Sequence, residues 1–250
     1  MSALSLPLST LLALLAATPP APAAAPRPPP LVVLDPGHGG EAFGARGICG
    51  VWEKDVALAV AKKAAELLRA TGTCRVLLTR QADVTLGLEP RVAQANAAQG
   101  NVFISIHANA SPNPEALGIE TFFLSRQASG ARMERLLERE NEGRRRPGRR
   151  AGSSLGVVLS GLSLDALEAQ SQRLAIELQR SLADGLGTRG RGVLQAPFVV
   201  LMGSKMPAAL VEVGFLTHAE QCLHLVDEGG QARAAEALVA GILSFLDELA

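Results

Sequence analysis

Aromatic residues and net charge are both scarce in this chain of 250 residues, and each scarcity narrows the range of functions. The sequence holds seven Phe, one Trp and no Tyr, so an extensive aromatic platform for stacking bases or sugars is not expected. Lys plus Arg and Asp plus Glu both number 24. A chain without net charge lacks the basic footprint of nucleic-acid binding, and we expect no nucleic-acid partner.

Cysteine is also sparse, with Cys49, Cys74 and Cys222 far apart in the sequence. Three cysteines without a CxxC pair form neither a disulfide framework nor a typical zinc-binding pattern. One disulfide can form from this set, but three inert buried thiols are the favoured interpretation.

Hydrophobic runs long enough to cross a membrane are missing as well. The longest, Leu4 to Ala17, is shorter than the ~20 residues that a transmembrane helix needs. It is followed by small residues and proline, which is typical of a secretory signal. We predict a signal peptide over residues 1–25, a Pro-rich spacer over 26–30, no membrane span in the mature chain, and export to the periplasm, cell envelope or extracellular space. A disordered leader or an uncleaved anchor is the alternative.

The remaining residues, 31–250, predict one globular domain, since 48% of the chain is hydrophobic and 19% is charged. Short apolar runs alternate with amphipathic segments, which indicates an α/β fold: a twisted, mostly parallel sheet of about six strands with helices on both faces. The expected strands are 31–34, 74–79, 102–106, 119–124, 198–201 and 209–213. The expected helices are 54–69, 88–98, 163–186 and 230–249.

Two histidines and two glutamates are placed where an α/β sheet builds its sites. His38 follows the first strand, His107 ends the third, Glu53 opens the first helix and Glu212 lies in the last strand. The carboxyl ends of parallel strands share one edge of the sheet. Two imidazoles and one carboxylate form a ligand set for catalytic zinc, and a further carboxylate can serve as general base. Each residue alone also has a structural interpretation, such as a helix-dipole role for Glu53.

Four motifs in this order, LDPGHGG, EKDVALAVA, ISIHANA and LVEVGFLTH, resemble the zinc-dependent N-acetylmuramoyl-L-alanine amidases. The resemblance covers roughly residues 31–248. It implies a hydrolase that cuts the amide between N-acetylmuramic acid and L-alanine in peptidoglycan, for wall turnover or cell separation. It also implies one Zn²⁺ per chain.

Carried over by motif, the resemblance makes His38, Glu53 and His107 the metal ligands and Glu212 the catalytic residue. Glu120 and Asn109 fall at further motif positions, where they would bind substrate or support the site. His218 and His224 are expected to be structural or exposed. Rival functions are another zinc peptidase or deacetylase of the cell wall and a non-catalytic wall-binding relative. We expect a monomer.

A stretch from 125 to 162 is long for a connection in a compact domain. The family's cell-separation members carry an inserted helical segment in the corresponding place that blocks the zinc until an activator moves it, so the resemblance implies a regulatory insertion and a protein activator. A mobile surface loop is the alternative interpretation. Its helix-like part contains carboxylates that could reach a metal, and the sequence does not single one out: Glu134, Glu138, Glu140 and Glu142. The basic run 144–150 favours a solvated loop over a contact with an anionic polymer.

Overall fold

The computed structural model describes residues 28–124, 131–141 and 161–249, and within these the chain forms a six-stranded sheet. The predicted signal peptide, Glu142 and the basic run lie outside the described residues. Among those that are described, no helix is both long and apolar enough to cross a membrane. The strands are β1 (Leu31–Pro36), β2 (Arg75–Leu78), β3 (Val102–Asn109), β4 (Ile119–Leu124), β5 (Gly190–Ala196) and β6 (Ala208–Phe215).

The strand order is β2-β1-β3-β6-β4-β5. The first four strands in that order are mutually parallel, whereas β4 runs antiparallel to β6 and parallel to β5. Strands β1, β3 and β6 are buried along their whole length, as expected for strands covered on both faces. The predicted mostly parallel α/β sheet is therefore confirmed.

Helices cover both faces of this sheet. One apolar cluster packs α1, α4, α5 and α6 against one face, and a second packs α2 and α3 against the other. The helices are α1 (Glu53–Thr71), α2 (Leu88–Ala97), α3 (Ala131–Glu140), α4 (Gly161–Gly185), α5 (Ala219–Val226) and α6 (Glu228–Glu248).

The prediction of a strand at 198–201 is wrong. Val199–Leu201 forms a short 3₁₀ helix, and the fifth strand is Gly190–Ala196 instead. The ring of Phe198 packs against Phe122 at 5.1 Å between centroids, so this apolar run is buried without joining the sheet. Burial alone does not distinguish a strand from another buried segment in a short apolar run.

The favoured interpretation of three free thiols is also wrong. Cys49 and Cys222 form a disulfide across 173 residues of sequence, and Cys74 is a buried free thiol. The disulfide joins the loop that precedes Glu53 to α5, which follows β6. It thereby links two segments next to the candidate site.

Candidate metal centre and its surroundings

Four buried side chains converge at the carboxyl end of the sheet: His38, Glu53, His107 and Glu140. One ligand atom from each lies within 4.8 Å of all the others. The His38 Nε2 atom lies 3.1 Å from Glu53 Oε1 and 3.0 Å from Glu140 Oε2. The His107 Nδ1 atom lies 2.9 Å and 2.7 Å from the same two oxygens. Three of these residues were predicted to meet, and the structure brings them together.

The backbone around the cluster is shaped to leave room for it. His38 has a positive φ of 58°, which turns the chain sharply after β1. A Cβ at Gly37 would lie 2.4 Å from the His107 ring, and one at Gly44 would lie 2.6 Å from both Glu53 Oε2 and His38. Any side chain at these two glycines would therefore displace the cluster.

The donor set fits zinc, because imidazole nitrogens and carboxylate oxygens are ligands that zinc accepts. The four nitrogen-to-oxygen distances of 2.7–3.1 Å are those of charged hydrogen bonds, so the four groups hold one another around a common point. Glu140 adds a second carboxylate to the two histidines and one glutamate.

The charges in the cluster shift its pKa values strongly. Burial lowers the pKa of His38, but the Glu53 and Glu140 carboxylates outweigh it and raise that pKa to about 9. The same carboxylates hold the pKa of His107 well above its usual value against the effect of burial. Burial and Glu140 raise the pKa of Glu53, yet the two histidines bring it down to about 2. Anionic carboxylates and cationic imidazoles thus stabilise one another in the cluster.

Two buried arginines hold the loop that carries His38. Arg91 donates to the carbonyls of Pro36 and His38, both at 2.6 Å, and to Asp35 Oδ1 at 2.9 Å. Arg80 donates to the carbonyls of Pro36 at 3.0 Å and of Gly37 at 2.7 Å. The two guanidinium groups therefore supply hydrogen bonds to the carbonyls of this strained loop, which holds the backbone at His38 in place.

Glu212 lies beside this cluster, paired with His107 in the register of β3 and β6. It is fully buried, and among the described residues neither carboxylate oxygen has a hydrogen-bond partner. Burial, reinforced by Glu140 and Glu53, raises the pKa of Glu212 to about 8. A buried carboxyl that is not hydrogen-bonded and has a raised pKa is suited to general acid–base work.

Asn109 and Glu120 belong to one network at the same edge. Asn109 Nδ2 donates to Glu120 Oε2 at 2.9 Å, and Arg191 Nε donates to Glu120 Oε1 at 2.6 Å. Glu120 also faces Glu212 across the antiparallel β4–β6 pair. Asn109, Glu120 and Glu212 therefore lie together at this edge of the sheet, and Arg191 is a partner that the sequence did not indicate.

Two residues of α3 that the sequence did not single out lie in the site. Glu140 was one of four candidate carboxylates, and its neighbour Arg139 was not considered. Arg139 Nε donates to Glu140 Oε1 at 2.6 Å, and Arg139 Nη2 lies 3.8 Å from Glu212 Oε1. The adjacent Arg-Glu pair on an amphipathic helix was the only signal available in the sequence.

His218 lies outside the cluster and has a structural role. It is the N-cap of α5, and its side chain accepts from the backbone N–H of Gln221. This is the structural role that was expected. His224 lies in the last turn of the same helix.

A two-histidine, one-glutamate donor set with a free buried carboxylate beside it, on an α/β sheet, is typical of metal-dependent hydrolases. The sequence profile described as N-acetylmuramoyl-L-alanine amidase matches residues 32–244. The chain belongs to that family, which confirms the resemblance seen in the sequence.

Individual relatives agree with this assignment. The chain is 36% identical over 219 residues to N-acetylmuramoyl-L-alanine amidase AmiA of Escherichia coli strain K12, covering 86% of this chain and 75% of AmiA. The crystal structure of an N-acetylmuramoyl-L-alanine amidase from Clostridium difficile 630 superposes with a TM-score of 0.69 at 30% identity, over 89% and 99% of the two chains. The CwlD amidase from Clostridioides difficile, solved in complex with the GerS lipoprotein, gives 0.67 at 25% identity, over 88% and 99%.

Proposed function

We propose that this protein is a zinc-dependent N-acetylmuramoyl-L-alanine amidase that cuts the amide between the lactyl group of N-acetylmuramic acid and L-alanine in peptidoglycan. The observation that carries the proposal is the meeting of His38, Glu53 and His107 beside the buried carboxylate of Glu212, whose oxygens accept no hydrogen bond from the described residues. Family membership supplies the bond that is cut.

His38, Glu53 and His107 would hold one Zn²⁺ per chain. When bound, zinc supplies an acidified water and positive charge beside the carbonyl oxygen of the substrate. Glu53 is fixed for this role by the backbone N–H groups of Ala45 at 2.7 Å and Ala108 at 3.2 Å. These contacts orient the carboxylate independently of the metal, so the site is organised in advance.

Glu212 moves the proton. Its ionised carboxylate accepts a proton from the attacking water while the new C–O bond forms at the carbonyl carbon. It then delivers that proton to the nitrogen as the C–N bond breaks. The second water proton also ends on the amine, so that the products are a carboxylate on the muramic acid and an ammonium on the stem peptide. The raised pKa of Glu212 makes its carboxylate a stronger base, which suits a group that must accept a proton and then donate it.

The insertion at 125–162 would regulate this activity through α3, which we call the blocking helix. Glu140 lies against both His38 and His107, where water and the substrate carbonyl must approach. Burial raises the pKa of Glu140, but His107 and Arg139 hold it well below its ordinary value, so it remains a charged ligand. The free enzyme would therefore have low activity until the blocking helix moves.

Export and partners belong to the same proposal. The mature enzyme would be a monomer that acts in the periplasm, cell envelope or extracellular space after loss of a signal peptide at residues 1–25. The Cys49–Cys222 disulfide supports export, because such bonds persist in oxidising compartments. Peptidoglycan is the substrate, and a protein activator would displace the blocking helix. The complex of CwlD with a lipoprotein is a precedent for a protein partner.

Digestion of purified sacculi by the full chain and by its Glu140→Ala variant, followed by mass spectrometry of the products, tests the function. We expect stem peptides with free L-alanine amino ends and intact glycan strands. Chelator or His38→Ala should remove metal and activity together, and Glu212→Gln should keep zinc while losing about 10²-fold or more of turnover. Acetate release would support a deacetylase, cleavage within the stem a peptidase, and binding without products a wall-binding module.

A further inference from the structure

The side chain of Arg139 does more than accompany Glu140. Its guanidinium donates to Asn109 Oδ1 at 3.1 Å through Nη2 and to the Ala110 carbonyl at 3.3 Å through Nη1. Neither acceptor belongs to the blocking helix; both lie at the end of β3, just beyond His107. Arg139 therefore occupies a pair of acceptors that the sheet itself presents to the site.

The Asn109 side chain is oriented to present oxygen at this point. Its Nδ2 donates to Glu120 Oε2 at 2.9 Å, and Arg191 holds that glutamate from the other side. The amide oxygen must then face Arg139, and it also accepts from the backbone N–H of Ala110 at 2.8 Å. Since Asn109 is only 3% exposed, this orientation does not depend on solvent.

Negative charge surrounds the same point. The guanidinium lies 3.8 Å from Glu212 Oε1 and 3.9 Å from Glu53 Oε2. A cation with several N–H donors is thus favoured here by both Coulomb attraction and hydrogen bonding. Next to it, a cavity of about 280 Å³ lies between the chain segment 109–112 and the blocking helix, which lines it with Arg135, Leu136 and Arg139.

We propose that Asn109 Oδ1 and the Ala110 carbonyl form the subsite for the amino end of the stem peptide, and that Arg139 mimics that end when the blocking helix is closed. This inference rests on the proposed function. The leaving nitrogen carries one N–H in the amide and becomes an ammonium with three N–H donors after cleavage. The acceptors therefore bind the departing group more tightly as it gains its protons, which favours the product side of the bond that breaks.

The site holds the reacting groups in the order that this role needs. Glu212 lies beside the guanidinium, so it can reach a nitrogen placed there and deliver the proton to it. The peptide that follows the nitrogen would extend along Ser111 and Pro112 once the blocking helix has moved. Arg139 and Glu140 together would then fill the leaving-group position and the metal position from one helical turn.

Calorimetric binding of two ligands to the zinc-loaded full chain tests the subsite. The ligands are the dipeptide L-Ala-D-Glu and propanoyl-D-Glu, which differs only in lacking the amino group. Relative to Glu140→Ala, the double variant Glu140→Ala/Arg139→Met should bind the dipeptide about tenfold or more tightly. Within the double variant, propanoyl-D-Glu should bind at least tenfold more weakly than the dipeptide.

Two further variants sharpen this test. Arg135→Met, which removes an exposed arginine of the same helix that also lines the cavity, should not increase dipeptide affinity in the Glu140→Ala background. Asn109→Ala should abolish the preference for the dipeptide. Equal affinity of the double variant for the two ligands would overturn the subsite, whether or not the Asn109 variant folds. Because binding is measured without turnover, a zinc-loaded protein that cuts no sacculi would refute the proposed function separately.

Discussion

Replacement of Glu140 by Ala should raise basal activity by removing the charge that holds the blocking helix on the metal centre. Its carboxylate is 3% exposed and contacts His38 and His107 at 3.0 and 2.7 Å. Removing one partner of a buried ion pair costs about 3–5 kcal/mol, and 3 kcal/mol alone shifts an equilibrium about 150-fold. Met133 and Leu136 still bury apolar surface in the second cluster, so we expect a rise of about 10- to 100-fold in activity.

Release of dye from labelled sacculi, with zinc content measured on the same samples, provides the assay. Glu134→Ala is the matched control, because this glutamate is exposed on the same helix and its loss changes the net charge equally. Glu140→Gln keeps the size of the side chain and should give a smaller rise. If Glu140→Ala retains full zinc and its activity equals that of Glu134→Ala, the blocking role of Glu140 is refuted.

Three other predictions follow from the contacts. First, the zinc affinity of the metal-free protein should rise between pH 6 and 9, because His38 and His107 have raised pKa values and must lose their protons to bind the metal. The rise should be about tenfold per pH unit for each proton released. Competition with a chromophoric chelator measures the affinity, and a flat pH profile contradicts the prediction. Second, Arg91→Met should destabilise the protein by about 3–5 kcal/mol, since it leaves Asp35 buried without its ion-pair partner; chemical denaturation and zinc affinity report it, with Arg91→Lys as the milder control. Third, Cys222→Ser should lower the free energy of unfolding by about 3–5 kcal/mol, and reductant should leave this variant unaffected while it destabilises the parent.

The core of the sheet and the metal cluster could be predicted because local sequence carries both. Strands β1, β3 and β6 are continuous apolar runs, and a run of that kind indicates a strand buried on both faces. His38 and His107 come at or just after the ends of such strands, so parallel geometry places them together. Glu53 begins the helix that follows β1, and the loop over residues 37–52 returns the chain to the same edge.

Strand β5 could not be found in this way because it lies at the edge of the sheet. Its residues are mostly half-buried or exposed, and the sequence GRGVLQA has neither an apolar run nor a strict alternation. Pairing with β4 makes it a strand, and pairing is a tertiary event that local propensity does not encode. The apolar run 198–201 was wrongly predicted to be a strand, because Phe198 is buried by packing on Phe122 and not by pairing in the sheet.

Arg139 and Glu140 were harder to predict, for a different physical reason. A carboxylate on an amphipathic helix is ordinarily a solvated residue, and α3 offers Glu134, Glu138 and Glu140 within two turns. Successive residues point in directions about 100° apart around the helix. The rotation of the helix about its own axis therefore decides which glutamate faces the sheet, and here it selects Glu140. This rotation is set by Met133 and Leu136, which pack in the second apolar cluster. The contact of Glu140 with the two histidines is thus determined by the packing of the apolar face, and substitutions at Met133 or Leu136 should weaken it without touching His38 or His107.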